Sequence, residues 1–324
     1  MTAIGYALSS EEHGPHDLVR NAAKAEDVGF SFALISDHFH PWIERHPHSP
    51  FVWSVLGAIA QATDRLIVGT GVTCPTMRIH PAINAHAAAT VADLMPDRFF
   101  FGVGTGENLN EHILGGAWPE WDVRAEMLEE AIEVIRALWG GKVVSHRGRH
   151  YRVQNARMYT LPETLPPIHV AASGEKMARI AARIGEGFIS TAPDRELVEA
   201  YEEAGGSGPK IGQMSVCWAT SEAKARRVAY EWWPTAALHG EVSQELPNPS
   251  QFTDLAKSVT EDQVAEAILC SPDVEQHVAR IQEYTDAGYD HVYLHQIGPD
   301  QDGFFEFAER ELLPKLGAEA AALV

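Results

Sequence analysis

The sequence predicts a (β/α)8 barrel, and three observations lead to this fold class. Apolar runs suited to buried strands alternate with stretches of helical periodicity along most of the 324 residues. Three early runs end in dense polar clusters, at the strand ends where parallel α/β folds carry their active sites. No stretch has the pattern of an antiparallel meander. One barrel needs about 250 residues, so we expect a single domain over residues 1–324.

The predicted elements follow one another in order. Strands are expected at residues 4–9, 32–37, 66–72, 98–104, 167–173, 185–191, 209–219 and 290–298. Helices are expected at residues 16–29, 51–63, 81–95, 121–139, 175–184, 194–204, 221–233, 272–288 and 304–316. Gly29 ends the first helix, Pro81 begins the third, and the pair Gly140 and Gly141 ends the fourth.

Two segments interrupt this alternation. Residues 142–166 are predicted to be short extended pieces followed by a proline-rich link, outside the barrel. Residues 234–262 have no sustained periodicity and contain three prolines. We interpret the second segment as an active-site insertion.

Composition and charge exclude several classes of function. The chain has 25 Lys and Arg against 45 Asp and Glu, a formal net charge of −20, which opposes binding to nucleic acid or to anionic lipid. No secretory leader and no apolar run of about 20 residues is visible, so a cytoplasmic protein is expected. The three cysteines, Cys74, Cys217 and Cys270, form no CxxC pair and indicate neither a disulfide framework nor a thiolate metal site.

The strand-end clusters contain the candidate chemistry at Asp37, His38, Glu107 and Asn110. The pair His38 and His40 also matches the HxH motif of metal-dependent barrel hydrolases. That interpretation needs ligands at later strand ends, whereas His169 falls inside the fifth strand. We therefore expect no metal, and we expect His46 and His48 to be solvated loop residues.

A glycine-rich turn follows the fourth strand at Gly102, Gly104 and Gly106. A dinucleotide-binding loop is disfavoured, because the spacing is GxGxG and no acidic residue ends a second strand about 20 residues later. The alternative is that these glycines allow close approach of a ligand or of a neighbouring barrel strand.

The segments SDHFHPW, GTGVTCPTMRIHP and FFFGVGTGENLNE closely resemble the F420-dependent branch of the luciferase-like superfamily, specifically the group named for F420-dependent glucose-6-phosphate dehydrogenase. The resemblance implies a luciferase-like TIM barrel, the deazaflavin coenzyme F420, a small-molecule substrate and a homodimer. It also implies hydride transfer between the cofactor and an alcohol or sugar hydroxyl carbon.

The resemblance also implies roles for individual residues. His38 corresponds to the base that takes the hydroxyl proton, Trp42 to the indole that shapes the site, and Glu107 to the acid that serves the reduced cofactor. The cofactor-binding positions are Asp37, Val72, Cys74, Gly106, Asn110, Ala171, Ala172, Ser173 and Gly174. The peptide bond between Gly71 and Val72 is expected to be cis.

The substrate end of the site is assigned to Glu11, His40, Trp232 and Trp233. The two indoles are expected to form an aromatic wall, and the alternative is that they pack as the end of a helix. The sequence departs from the glucose-6-phosphate enzymes at their phosphate-binding positions. Asp194 and Arg195 lie near the expected lysine, Ser243 and Gln244 lie near an expected Lys-His pair, and Ala267 lies near an expected arginine.

This departure predicts an alcohol or neutral sugar as substrate and argues against a sugar phosphate. Two alternatives stay open at this point. One is a flavin-dependent monooxygenase of the same superfamily, and the other is a metal-dependent hydrolase that uses His38 and His40.

Overall fold

A computed structural model describes residues 2–238, 240, 242–317 and 321–324 of the chain. The strands are β1 (Ala3–Leu8), β2 (Phe32–Ile35), β3 (Ile67–Thr70), β4 (Phe99–Val103), β5 (Val144–Arg147), β6 (Arg152–Ala156), β7 (Ile168–Ala171), β8 (Gly187–Ser190), β9 (Lys210–Cys217), β10 (Leu269–Cys270) and β11 (His291–Gln296).

The helices alternate with these strands. They are α1 (Pro15–Val28), α2 (Val52–Ala62), α3 (Pro81–Leu94), α4 (Asn108–Glu111), α5 (Trp121–Trp139), α6 (Glu175–Ile184), α7 (Arg195–Glu203), α8 (Glu222–Trp232), α9 (Val242–Glu245), α10 (Pro249–Ala256), α11 (Glu261–Ala267), α12 (Val274–Ala287), α13 (Gln301–Phe307) and α14 (Leu313–Leu316). Short 3-10 turns cover His112–Leu114 and Pro234–Ala237, and a π-helical turn covers Ala308–Leu312.

Eight strands close into a parallel barrel in the order β1, β2, β3, β4, β7, β8, β9 and β11, with β11 pairing back onto β1. The predicted (β/α)8 fold is therefore confirmed. Within residues 142–166, β5 and β6 pair with each other in a separate antiparallel hairpin. Parallel strands bring their carboxyl ends to one face of the barrel, and the candidate residues follow those ends.

Alternation along each strand builds two apolar layers. In β2, Phe32 and Leu34 pack with Phe100 of β4 and with residues of the other strands in one cluster. Ala33 and Ile35 belong to the larger cluster that the helices cover. Burial on both faces explains why the strands read as continuous apolar runs.

Ala321 and Leu323 pack against the inner layer near the amino ends of the strands, a contact that the sequence did not predict. Leu323 is 1% exposed and packs with the inner layer. Its carbonyl oxygen lies 3.0 Å from Nε2 of His169, which lies inside β7 as expected. Burial lowers the pKa of His169 to about 4, so this imidazole is neutral at physiological pH.

The insertion contains more regular structure than its sequence predicted. Residues 234–262 include α9, α10 and the start of α11. Local signals for two of these helices were present, since Asn248 with Gln251 and Thr260 with Gln263 form capping boxes. Among the described residues, no helix combines the length and apolar character that crossing a bilayer requires. The single-domain organisation, the homodimer and the cytoplasmic location stay predictions.

Candidate active site

His38 lies at the centre of the candidate site, just after β2. Its side chain is 10% exposed, and Nε2 lies 3.3 Å from Oε1 of Glu11 and 3.7 Å from Oε2 of Glu107. Nδ1 lies 3.2 Å from the carbonyl oxygen of His40 and 3.1 Å from Nδ2 of Asn110. When Nδ1 carries the proton and donates to that carbonyl, the lone pair of Nε2 faces the two carboxylates and can accept a proton.

The three titratable groups influence one another. Burial lowers the pKa of His38, but the charges of Glu11 and Glu107 outweigh burial, and the net pKa is raised above its ordinary value. Burial raises the pKa of Glu107, and the charge of Glu11 adds to this effect against the opposing influence of His38. The pKa values of His38 and Glu107 are therefore both raised, and each group holds its proton more firmly than it would in water.

Glu11 differs from Glu107 in its surroundings. Burial tends to raise the pKa of Glu11, but His38 and the hydroxyl of Ser36 outweigh burial and lower it below the ordinary value. Oε2 of Glu11 accepts hydrogen bonds from Ser9 at 3.1 Å and from Ser36 at 2.7 Å. Glu11 is thus a fixed anion, whereas Glu107 has a side chain 32% exposed and is the carboxyl group suited to exchanging a proton.

Asn110 connects these groups. Its Oδ1 accepts hydrogen bonds from the backbone N–H groups of Phe39 at 2.9 Å and His40 at 3.1 Å, and its Nδ2 donates to Oε2 of Glu107 at 3.0 Å. The amide is 3% exposed. It therefore holds the segment after β2 against the segment after β4. We call Glu11, Asp37, His38, Glu107 and Asn110 the polar floor of the site.

Asp37, a predicted cofactor-binding residue, is completely buried. Its side chain has no exposed area, its Oδ2 accepts a hydrogen bond from Thr73 at 2.8 Å, and its Oδ1 accepts one from Nη2 of Arg78 at 2.8 Å. Arg78 also lies 3.5 Å from Glu111. Sequence reasoning missed both Arg78 and Glu111, although both lie in the segments that carried the resemblance.

The segments after β3 and β4 pack closely against each other. The peptide bond between Gly71 and Val72 is cis, as expected. A Cβ on Gly102 would lie 1.9 Å from the carbonyl oxygen of Thr70, and one on Gly106, whose φ is +82°, would lie 2.6 Å from Sγ of Cys74. These glycines allow close approach of neighbouring strand ends, the structural alternative considered for the GxGxG run. Cys74 is buried, and burial raises the pKa of its thiol.

The turn after β7 leads into an open helix terminus. Ala171 ends β7, and Gly174 is the N-cap of α6 with no side-chain cap. A Cβ on Gly174 would meet nothing within 4 Å, and Ser173 beside it is exposed, whereas Ala172 is buried. The first N–H groups of α6 and the positive end of its dipole therefore face open space, a geometry suited to an anion.

Beside the floor lies an apolar cluster of six residues, half of which come from the insertion. The Trp42 ring lies 5.3 Å from the His38 ring and 5.3 Å from the Phe252 ring of α10. Ile43, Leu109, Leu238 and Leu246 complete the cluster around them. We call Leu238, Leu246 and Phe252 the apolar roof. Sequence reasoning missed all three, and no local signal marked them.

The roof is attached to the barrel through Arg124 at the start of α5. This guanidinium is buried, donates to Oε1 of Gln244 at 2.9 Å and lies 3.5 Å from Glu245. It also lies 4.2 Å from the centre of the Trp118 ring. Arg124 is thus engaged by protein groups that hold α9 in place.

The two indoles assigned to the substrate end have different neighbours. Trp232 lies against Arg45, with 5.3 Å between the guanidinium carbon and the ring centre. Trp233 packs between His46 and His295, each 4.6 Å away between ring centres. The expectation that His46 is solvated is wrong. It is 3% exposed, because the end of α8 covers it and the Trp232 carbonyl lies 2.6 Å from its Nε2.

The pair His38 and His40 does not converge on one point. Nδ1 of His40 lies 2.8 Å from the Leu109 carbonyl oxygen, and its ring stacks on His112 at 5.5 Å. Nε2 of His38 faces Glu11 and Glu107 instead. Within the described ranges, no group of three or more His, Cys, Asp or Glu side chains has the arrangement of a metal site.

The family follows from comparison with known proteins. The family model described as luciferase-like monooxygenase matches residues 1–291. This chain belongs to the luciferase-like family. The F420-dependent glucose-6-phosphate dehydrogenase of Nocardia farcinica (strain IFM 10152) is 37% identical, with 98% of each chain covered. That of Microbacterium testaceum (strain StLB037) is 36% identical, with 97% of each covered.

A solved structure extends the comparison to three dimensions. An F420-dependent secondary alcohol dehydrogenase in complex with an F420-acetone adduct superposes with a TM-score of 0.90 and 30% sequence identity, covering 97% of this chain and 98% of that one. The resemblance inferred from the motifs is therefore confirmed for the family and its F420-dependent branch. The relatives include both a sugar phosphate dehydrogenase and an alcohol dehydrogenase, so the family alone leaves the substrate open.

Proposed function

We propose that this protein is an F420-dependent dehydrogenase that oxidises an uncharged or weakly charged alcohol, or carries out the reverse reduction, and does not use glucose 6-phosphate. The observation that carries the proposal is the position of His38, between two carboxylates of the floor and beside the Trp42–Phe252 pair under the apolar roof. Here an imidazole can take a hydroxyl proton while apolar groups hold the substituents of the carbinol carbon.

The residues fit a deazaflavin with a phosphate-bearing side chain. The open N-terminus of α6, with Ala171, Ala172, Ser173 and Gly174 before it, suits the phosphate. Val72, Cys74, Gly106 and Asn110 are proposed to surround the ring system from the ends of β3 and β4. When bound, the deazaflavin supplies hydride acceptance or donation and no one-electron chemistry.

Protein side chains would then accept the hydroxyl proton of the substrate and donate a proton to the cofactor. His38 accepts the hydroxyl proton through Nε2, and Glu11 stabilises the resulting imidazolium at 3.3 Å. Glu107, whose pKa burial raises, holds a proton that it can donate toward the cofactor side. General base catalysis of this kind contributes about 100- to 10,000-fold to the rate.

The cations that the sequence offered for binding a phosphate ester are already engaged by protein groups, which argues against that substrate. A buried phosphate dianion needs paired cations, because an unpaired buried charge costs several kcal/mol. Arg195 donates to the Asp286 carbonyl, and Lys210 lies 3.3 Å from Glu202 and 3.5 Å from Asp290. Arg124 is occupied by Gln244 and Glu245. Arg124, Arg195 and Lys210 therefore each have a protein partner already.

The test has two stages. F420 and FMN are titrated in turn, with quenching of ring fluorescence as the signal. We expect F420 to bind at least about tenfold more tightly, a difference of about 1.4 kcal/mol. Similar affinity for FMN together with FMN-supported turnover would instead identify a flavin-dependent monooxygenase.

In the second stage, F420 reduction is assayed with glucose 6-phosphate beside neutral sugars and primary and secondary alcohols. We expect saturable turnover with at least one neutral alcohol or sugar. Saturable turnover of glucose 6-phosphate at micromolar concentration, with none for the neutral compounds, would refute the substrate assignment.

A further inference from the structure

We infer that Arg78 is a positioning residue of this site, which fixes the segment carrying Asp37 and His38 to the segment carrying Asn110. The inference builds on the proposed function, but it concerns a side chain that neither the motifs nor the comparisons assign. Arg78 lies in the loop after β3, and its side chain is 6% exposed.

One set of contacts joins Arg78 to the end of β2. Its Nη2 donates to Oδ1 of Asp37 at 2.8 Å and lies 3.3 Å from the Asp37 carbonyl oxygen, the peptide group that precedes His38. Thr73 occupies the other carboxylate oxygen of Asp37. Both carboxylate oxygens of Asp37 are therefore engaged by protein groups. Asp37 therefore acts on the site by holding the backbone before His38, with Arg78 as its counterion.

A second set of contacts joins Arg78 to α4. Its backbone N–H donates to Oε2 of Glu111 at 2.8 Å, and its Nε lies 3.5 Å from Oε1 of the same carboxylate. Glu111 is 2% exposed and directly follows Asn110, which holds Glu107 and the backbone of Phe39 and His40. Arg78 thus connects, through two carboxylates, the chain segments that determine the distance from His38 to Glu107.

The positive charge of Arg78 also acts on His38 and Glu107. It opposes protonation of both His38 and Glu107, lowering the pKa of each, while Glu11 and Glu107 act on His38 in the opposite sense. Burial raises the pKa of Glu111 to about 7 despite the nearby guanidinium. A lysine would keep the charge but lose the planar fork that reaches several acceptors. Geometry and charge can therefore be separated by substitution.

The experiment compares wild type with Arg78→Lys, Arg78→Met and Arg78→Ala. The imidazole of His38 is titrated by NMR without cofactor, its signal assigned from a His38→Gln spectrum, and turnover is measured with the alcohol found in the substrate screen. We expect Arg78→Met to move the His38 titration to higher pH and to lower kcat at least about tenfold. Arg78→Lys should leave the titration near that of wild type and still lower kcat, and added guanidinium should restore part of the activity of Arg78→Ala.

Unchanged His38 titration in Arg78→Met, with activity falling only as far as the folded fraction falls, would show a structural role alone and overturn the inference. If the Arg78 variants do not fold, Thr73→Val tests the same connection between Asp37 and its neighbours. This substitution removes one hydrogen bond of Asp37 and no charge. It should then lower kcat several-fold with an unshifted titration, and wild-type kcat would refute the inference. Failure of wild type to bind F420 would instead refute the proposed function, because the titration needs no cofactor.

Discussion

The polar floor and the apolar roof of this site are built in opposite ways. The floor consists of residues directly after β1, β2 and β4, and each side chain has a polar partner within 3.7 Å. The roof comes from the insertion between α8 and α11 and meets Trp42 through apolar contacts. Four of the five floor residues lie in the motifs that indicated the family. We infer that the floor determines the reaction and that the roof determines which alcohol undergoes it.

The largest effect is expected from removal of the base in the floor. His38→Ala should lower kcat by about 100-fold or more, because a base acts in the transition state, and should change F420 affinity little. Steady-state kinetics and fluorescence titration measure the two quantities. Near wild-type rates across about pH 6 to 9 would mean that the base lies elsewhere, with His40 the next candidate.

The two carboxylates beside His38 should not be equivalent. Glu107→Gln removes the exchangeable proton and should lower kcat by about tenfold to 100-fold, within the range for general acid–base groups. The matched control is Glu11→Gln, which removes a fixed anion of the same size. A larger loss for Glu11→Gln than for Glu107→Gln would reverse the assigned roles.

In the roof, Phe252→Ala should act on substrate selection. We expect KM for bulky apolar alcohols to rise several-fold with a smaller change in kcat, since uniform binding is lost. Truncating a buried phenylalanine also destabilises a protein by about 3 to 5 kcal/mol. Phe252→Leu is therefore the control that keeps most of the apolar volume. If Phe252→Ala impairs the turnover of small and bulky alcohols equally, the roof does not select the substrate.

The smallest effect concerns pH. The neutral imidazole is the base, so alcohol oxidation should rise with pH through the pKa of His38, which lies above its ordinary value of about 6.5. Glu11 raises that pKa, and Glu11→Gln should therefore shift the acidic limb of the kcat/KM profile to lower pH. For the reverse reduction the protonated form is required, and activity should fall over the same range. If the acidic limb of the kcat/KM profile does not move in Glu11→Gln, that limb does not report the titration of His38.

The sequence by itself determined the barrel and the strand ends at which the candidate site is proposed. Strand alternation, helix periodicity and glycine or proline at helix ends are local properties, so they can be read without knowing any distant partner. The polar residues after β2 and β4 were predicted to come together because parallel strands share one carboxyl edge. The resemblance carried by the same segments added the family and the cis peptide bond at Val72.

Only the tertiary structure decided which side chains become partners across long stretches of chain. Arg78 meets Asp37 and Glu111, the end of α8 buries His46, and Phe252 reaches Trp42 from 210 positions away in the sequence. A buried charge or apolar ring needs a partner in the fold. The amino-acid sequence does not identify that partner, because many residues along the chain have equivalent chemistry. The closed barrel and the insertion folded over it make that choice, and with it the environment that shifts the pKa values of His38 and Glu107.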